Sequence, residues 1–213
     1  MSVYEYIREP REIYRRSSEL VTAATDVSRV PIELHTLVYR LVHACGMADI
    51  VDDLSWHASP TLAASQAIAR GAPILADCEM VSDGIIRSRL PANNQVICTL
   101  NDPLAHDIRD RDRTTRSAAA VELWLPHMAG AVVTIGNAPT ALFRLLEILS
   151  AAPNSAKPAA IFAFPVGFVG AAESKAALID AELEIPYVTL GGRRGGSALA
   201  AAAVNALSGS LDT

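Results

Sequence analysis

Three stretches decide how this chain folds: Ile135-Gly136-Asn137-Ala138-Pro139-Thr140-Ala141-Leu142-Phe143, Phe164-Pro165-Val166-Gly167-Phe168-Val169-Gly170-Ala171-Ala172-Glu173-Ser174-Lys175, and Gly191-Gly192-Arg193-Arg194-Gly195-Gly196-Ser197. Each follows a short apolar run and opens a stretch with helical patterning. Strand, glycine-rich loop and helix in that order, three times over, put three loops at one edge of a parallel sheet. Open α/β sheets bind ligands at that edge. Helix N-termini there present unpaired N–H groups and partial positive charge, so the pattern points to an anionic ligand.

Working outward, Pro73-Ile74-Leu75-Ala76 and Val96-Ile97-Cys98-Thr99-Leu100 read as two earlier strands, followed by Ala131 to Ile135, Ala159 to Phe164 and Tyr187 to Leu190. Helices are expected over Pro139 to Leu149, Gly170 to Asp180 and Gly195 to Leu207, with another from Arg113 to about Met128. Before the first strand the chain reads as helical. One helix spans Pro10 to about Thr25, with Ile13, Leu20 and Val21 on one face. A second starts at Pro31 and stops at Gly46, a third covers Pro60 to Arg70. The expectation is a single domain over 1–213, with a helical preamble over 1–70 and a sheet core over 71–213. Its fold class is α/β, a three-layer α/β/α arrangement around a mostly parallel, Rossmann-like sheet.

The 213 residues are 51% hydrophobic and 19% charged, with a formal net charge of −5. That length supports one full core, and the negative balance argues against a broad nucleic-acid surface. No run is long enough for a membrane span or a signal peptide, so the expected location is cytoplasmic. The three cysteines, Cys45, Cys78 and Cys98, have no CxxC spacing and read as buried, reduced thiols. No HExxH, paired histidine or acidic metal loop occurs among the five histidines, so no metal is expected.

His43, in Val42-His43-Ala44-Cys45-Gly46, sits in the last turn of the second helix. A helix C-terminus favours the imidazolium form. His43 reads either as a proton donor or as a cap for the helix carbonyls. Asp77 follows a strand and reads either as a ligand-edge group or as a helix N-cap. Arg116 stands at a helix opening, and Arg193 and Arg194 flank four glycines before another. These arginines, with the N–H groups of Gly195, Gly196 and Ser197, form the expected anion cradle. Asn137, Ala138 and Gly167 in the first two loops complete the candidate ligand-binding set. Glu173 and Lys175 read as exposed helix residues. The spacing is neither a P-loop nor GxGxxG, and neither a nucleophile elbow nor a Ser/His/Asp set is present.

These segments, together with Gly71-Ala72-Pro73-Ile74-Leu75-Ala76-Asp77 and Thr115-Arg116-Ser117-Ala118-Ala119, resemble the precorrin-8X methylmutase family, in the family's order and over nearly the whole chain. The resemblance implies an isomerase of cobalamin biosynthesis. Such an enzyme converts precorrin-8X to hydrogenobyrinate by an intramolecular methyl shift from C-11 to C-12, with no cofactor or methyl donor. It implies His43 as the acid and Ser17, on the first helix, as a substrate contact. It also implies a homodimer, with active sites near the subunit interface, that holds its product tightly. After Gly46 the chain reads Met47-Ala48-Asp49, where relatives place an acidic or small polar residue directly. Two other readings use the same loops: a non-catalytic corrinoid carrier, and a Rossmann-like nucleotide or S-adenosylmethionine enzyme. The missing GxGxxG spacing stands against the latter.

Overall fold

The computed structural model describes residues 3–208. Nine α-helices and six strands are described: α1 Pro10–Ala24, α2 His35–Cys45, β1 Leu54–His57, α3 Pro60–Ala69, β2 Ile74–Ala76, α4 Glu79–Gly84, β3 Val96–Ile97, α5 Pro103–Asp112, α6 Arg116–Glu122, β4 Val132–Ile135, α7 Pro139–Ala151, β5 Ala160–Ala163, α8 Ala171–Asp180, β6 Tyr187–Leu190 and α9 Ser197–Asn205. The strand order is β1-β6-β5-β4-β2-β3. All neighbours pair in parallel except β1, which runs antiparallel to β6.

Alternation along the strands divides the core in two. Ile74, Ala76 and Val132 face a cluster with α2, α3, α4 and α9. Leu75, Val133 and Ile135 face a second cluster with α6, α7 and α8. The result is the expected three-layer α/β/α arrangement. The chain leaves β2 for β3 on one side and returns to β4 on the other, so the strand order reverses between β2 and β4. Such a reversal splays the connections apart and opens a crevice at the C-terminal ends of those strands.

Local signals explain the helix ends. Pro10, Pro60, Pro103 and Pro139 each stand at a first helical position, where the missing N–H costs nothing. Gly46 takes a left-handed φ of 71° and its N–H closes on Val42 O at 2.8 Å, which stops α2 directly after His43 and Cys45.

Two expectations change. The segment 1–70 is not purely helical, because it contributes β1 to the sheet. Four residues including Ser55 and His57, paired on one side only, leave too little alternation to read as a strand. The helix expected from Arg113 to about Met128 is one shorter helix, α6, and a short 3-10 turn over Leu125–His127, and α5 before it was not expected. Asp102 caps α5 through Leu104 N, Arg113 breaks it in a left-handed conformation, and Thr115 restarts the chain by accepting from Ala118 N at 3.1 Å. Capping at both ends beats weak propensity across the join.

Candidate functional site

The switch point is closed by a carboxylate. Asp77 follows β2 and is 2% exposed. It accepts the N–H groups of Gly136, Asn137 and Ala138, each at 2.9 Å. Burial pushes its carboxyl upward, and the three donors pull it back. The N-terminus of α7 thus already holds an anion, supplied by the protein itself. Asp77 is neither a free ligand-edge group nor a cap for α4, whose capping residue is Cys78 with no side-chain bond. The Asn137 and Ala138 N–H groups are therefore not open to a ligand, although Asn137 itself is exposed.

The second and third loops are bound to each other. Gly196 N–H donates to Phe164 O at 2.8 Å and Gly167 N–H donates to Arg193 O at 3.2 Å. A side chain at Gly195 would meet Phe164 O at 2.3 Å, so only glycine fits there. Of the three N–H groups in the expected cradle, that of Gly196 is taken by a neighbouring carbonyl, as is that of Gly167 in the second loop. The Ser197 hydroxyl lies against the Cys78 thiol at 3.4 Å.

Lys175, read from the sequence as exposed, is fully buried. Its ammonium donates to Arg194 O at 2.6 Å, and burial lowers its pKa to about 8. Arg194 lies between Asp49 at 2.7 Å and Asp53, which raise its pKa through hydrogen bonds. Asp53 O also accepts Gly191 N–H at 2.7 Å. Arg194 is thus a strut that ties the third loop to the 3-10 turn Ala48–Asp53. Arg193 is exposed, with its guanidinium 5.2 Å from the Phe168 ring. Arg116, also exposed, starts α6 and donates to Asn101 Oδ1 at a long 3.4 Å.

That strut also places His43. The 3-10 turn connects Gly46, at the end of α2, to β1, and Leu54 pairs with Leu190 at the C-terminal end of β6. The last turn of α2 therefore stands beside the ligand edge. α1 packs on α2, and Ser17 Oγ lies 3.0 Å from His43 Nδ1, across 26 residues of sequence. The imidazole is exposed and the serine half-buried.

The cysteines are free, as read, but only Cys78 is buried; Cys45 and Cys98 are half-buried. Burial pushes the Cys98 thiol up to about 12 and raises Cys78 as well, so both stay protonated near neutrality. Among the described residues no three His, Cys, Asp or Glu side chains gather to hold a metal ion. No helix there is long and apolar enough to cross a membrane.

The residues missed from sequence are Asp77 as a loop clamp and Lys175 as a buried tie. The signal for the first was an acid at a strand end facing a glycine loop. A lysine five residues into a helix after a glycine turn carried no comparable signal.

A doubly wound α/β enzyme, with an imidazole–hydroxyl pair beside its ligand edge, is the class these features define. The family model described as precorrin-8X methylmutase matches residues 12–209. The chain belongs to that family, and it is an isomerase of cobalamin biosynthesis. It is 52% identical over 203 residues to a precorrin-8X methylmutase of Pseudomonas aeruginosa, across 95% of this chain and 97% of that one. It is 31% identical to a cobalt-precorrin-8 methylmutase of Priestia megaterium, across 94% and 88%. The solved precorrin-8X methylmutase of Thermus thermophilus superposes with a TM-score of 0.82 at 32% identity, covering 92% of this chain and 94% of that one. The carrier and nucleotide readings are not favoured by these likenesses.

Proposed function

We propose that this chain converts precorrin-8X to hydrogenobyrinate by moving one methyl group from C-11 to C-12 of the macrocycle, with His43 as general acid. The observation that carries this reading is the Ser17–His43 pair, 3.0 Å apart. Ser17 engages Nδ1 and leaves Nε2 for the substrate. A protonated imidazole then donates from Nε2 into the macrocycle while Nδ1–H is held by Ser17 Oγ. The added proton redistributes the π electrons and lowers the barrier to migration, and the imidazole recovers the proton afterwards. A general acid of this kind contributes about 10²–10⁴-fold. Positioning and exclusion of water supply the rest. The shift is intramolecular and calls for no methyl donor, redox cofactor or metal.

The substrate carries acetate and propionate carboxylates on its rim. Arg116 and Arg193, exposed and without an acidic partner among the described residues, are the arginines of the expected set that suit them. Asn137, Ala138, Gly167, Gly195, Gly196 and Ser197 shape the floor beneath, and Arg194 supports it. The higher identity to a relative named for precorrin-8X than to one named for cobalt-precorrin-8 supports a metal-free substrate. Ile13, Tyr14 and Leu20 on α1 are 47%, 56% and 52% exposed. That apolar surface beside the reacting pair supports a homodimer with active sites near the interface. The pathway supports a cytoplasmic location, and product is held tightly through the same carboxylate contacts.

The test is direct. Protein dialysed against chelator and given precorrin-8X alone is expected to produce the hydrogenobyrinate visible spectrum with first-order decay of substrate. A parallel reaction uses the cobalt pigment. Conversion that requires S-adenosylmethionine or nicotinamide, or pigment that binds but never converts, overturns the reading.

A further inference from the structure

Lys175 is a fully buried ammonium that the reaction as described does not use. The buried positions of α8 are Ala171, Ser174, Lys175 and Leu178, the spacing of a single helix stripe. Three of the four are apolar or small. The fourth is a charge, and taking a charge out of water is costly unless partners replace the water. Its hydrogen bond goes to Arg194 O at 2.6 Å. No carboxylate forms an ion pair with it among the described residues. Burial lowers its pKa to about 8, opposed by the charge of Asp53. A methionine at that place would fill the stripe without the cost of burying a charge.

What the ammonium holds is the middle of the third loop. Arg193 O accepts Gly167 N–H at 3.2 Å, Arg194 O accepts Lys175 Nζ, and Gly196 N–H donates to Phe164 O at 2.8 Å. Three points on the loop backbone are thus taken by the segment 164–175. On the other side the Arg194 guanidinium reaches Asp49 at 2.7 Å and Asp53, both in the 3-10 turn Ala48–Asp53 that follows Gly46 and Met47. Ile50 of that turn is buried in the same core cluster as Leu41 and Val42 of α2. The carbonyl that Lys175 holds and the guanidinium that holds the turn belong to one residue. Two successive contacts therefore join Lys175 to the turn packed on the helix end that carries His43.

We propose that Lys175 is a positioning residue for the methyl shift, fixing the place of the His43 imidazole through Arg194 and the turn Ala48–Asp53. The proposal rests on the reading of His43 as the general acid. An ammonium suits this task for two reasons. Its long stem reaches from α8 to a loop carbonyl, and a charge-assisted N–H bond is shorter and stronger than a neutral one. An apolar side chain would pack against the loop without fixing the carbonyl. A general acid has to stand within hydrogen-bond reach of the atom it protonates. A misplacement of about 1 Å, even one that originates far from the chemistry, costs about 10²-fold in rate. The buried charge thus gives up fold stability in exchange for placement of the acid.

The experiment makes Lys175→Met and Arg194→Ala, each alone, together and in the His43→Ala background. Single-turnover conversion of precorrin-8X, titration with hydrogenobyrinate and melting temperature are measured for each. Lys175→Met is expected to melt at or above the wild-type temperature at pH 7, to bind hydrogenobyrinate as wild type does, and to convert substrate about tenfold to a hundredfold more slowly. Arg194→Ala breaks the same chain of contacts one step further on. It is expected to slow conversion too, with the double variant no slower than Lys175→Met alone. In the His43→Ala background neither change is expected to slow the reaction further, because the group they place is gone. Wild-type turnover in folded Lys175→Met overturns the proposal. So does slowing that persists undiminished without His43, or that comes with an equal loss of product affinity. If Lys175→Met fails to fold, Arg194→Ala decides: slowing that vanishes without His43 supports the chain of contacts, and wild-type turnover overturns it. Wild type that does not convert pigment, or His43→Ala that converts at the wild-type rate, overturns the methyl-shift reading itself. A normal Lys175→Met beside a slow His43→Ala overturns only the positioning role.

Discussion

The glycine loops at the sheet edge and the α1–α2 corner beside them treat their polar groups in opposite ways. At the loops the protein fills its own sites: Asp77 takes three N–H groups of the first, Phe164 O takes Gly196 N–H, and Lys175 and two aspartates hold Arg194. At the corner, His43 is exposed with Ser17 Oγ against its Nδ1. The difference teaches that a ligand-like pattern and an available site are separate things. The loops are built from residues that bind anions, yet several of their donors are occupied. The proposed reacting pair, Ser17 and His43, belongs to helices outside the sheet.

The sharpest way to break this comparison is at His43. His43→Ala is expected to bind product normally and to lower kcat by about 10²–10⁴-fold, read by single-turnover conversion. Near-normal turnover would move the chemistry back to the loops. Next comes Asp77→Ala, which leaves three donors at the end of a buried helix without an acceptor. We expect about 3–5 kcal/mol of lost stability in urea denaturation. A loss of activity at unchanged stability would make Asp77 a reacting group and not a clamp.

Lys175 gives a pH signature. Its pKa in the folded protein is about 8, against an ordinary 10.5, so between those values the unfolded chain holds more protons than the folded one. Stability from this group therefore rises with pH across about 8 to 10.5, and the burden of about 3 kcal/mol is fully present below pH 8. Lys175→Met should lack that rise when denaturation midpoints are compared between pH 7 and pH 10. A parallel pH dependence in the variant would assign the trend to another group.

The smallest effects separate the adjacent arginines. Arg194→Ala is expected to cost about 1 kcal/mol of stability, since its ion pairs are partly exposed, while leaving the salt dependence of product binding unchanged. Arg193→Ala is expected to do the reverse, weakening binding by about tenfold and flattening its salt dependence. Equal behaviour of the two would erase the distinction between strut and contact.

Much of this was legible in the chain. Strand–loop–helix repetition gave the parallel sheet because alternation and glycine turns are local signals, and Gly46 marked the end of α2 for the same reason. The short, one-sided β1 was not legible, because four residues with polar members do not alternate strongly enough. Helix α5 escaped because it buries only Ala105 and so carries no apolar stripe.

The sequence by itself determined the layered α/β class, the ligand edge and the identity of His43 and Ser17 as candidates through family resemblance. Only the tertiary structure decided which polar groups were free. Asp77 and Gly136 are 59 residues apart, Lys175 and Arg194 are 19, and Arg194 and Asp49 are 145. Whether a carboxylate, an ammonium or a guanidinium is occupied depends on partners that only folding brings near. Propensity and spacing report on neighbours along the chain, whereas burial and charge pairing are set by neighbours in space.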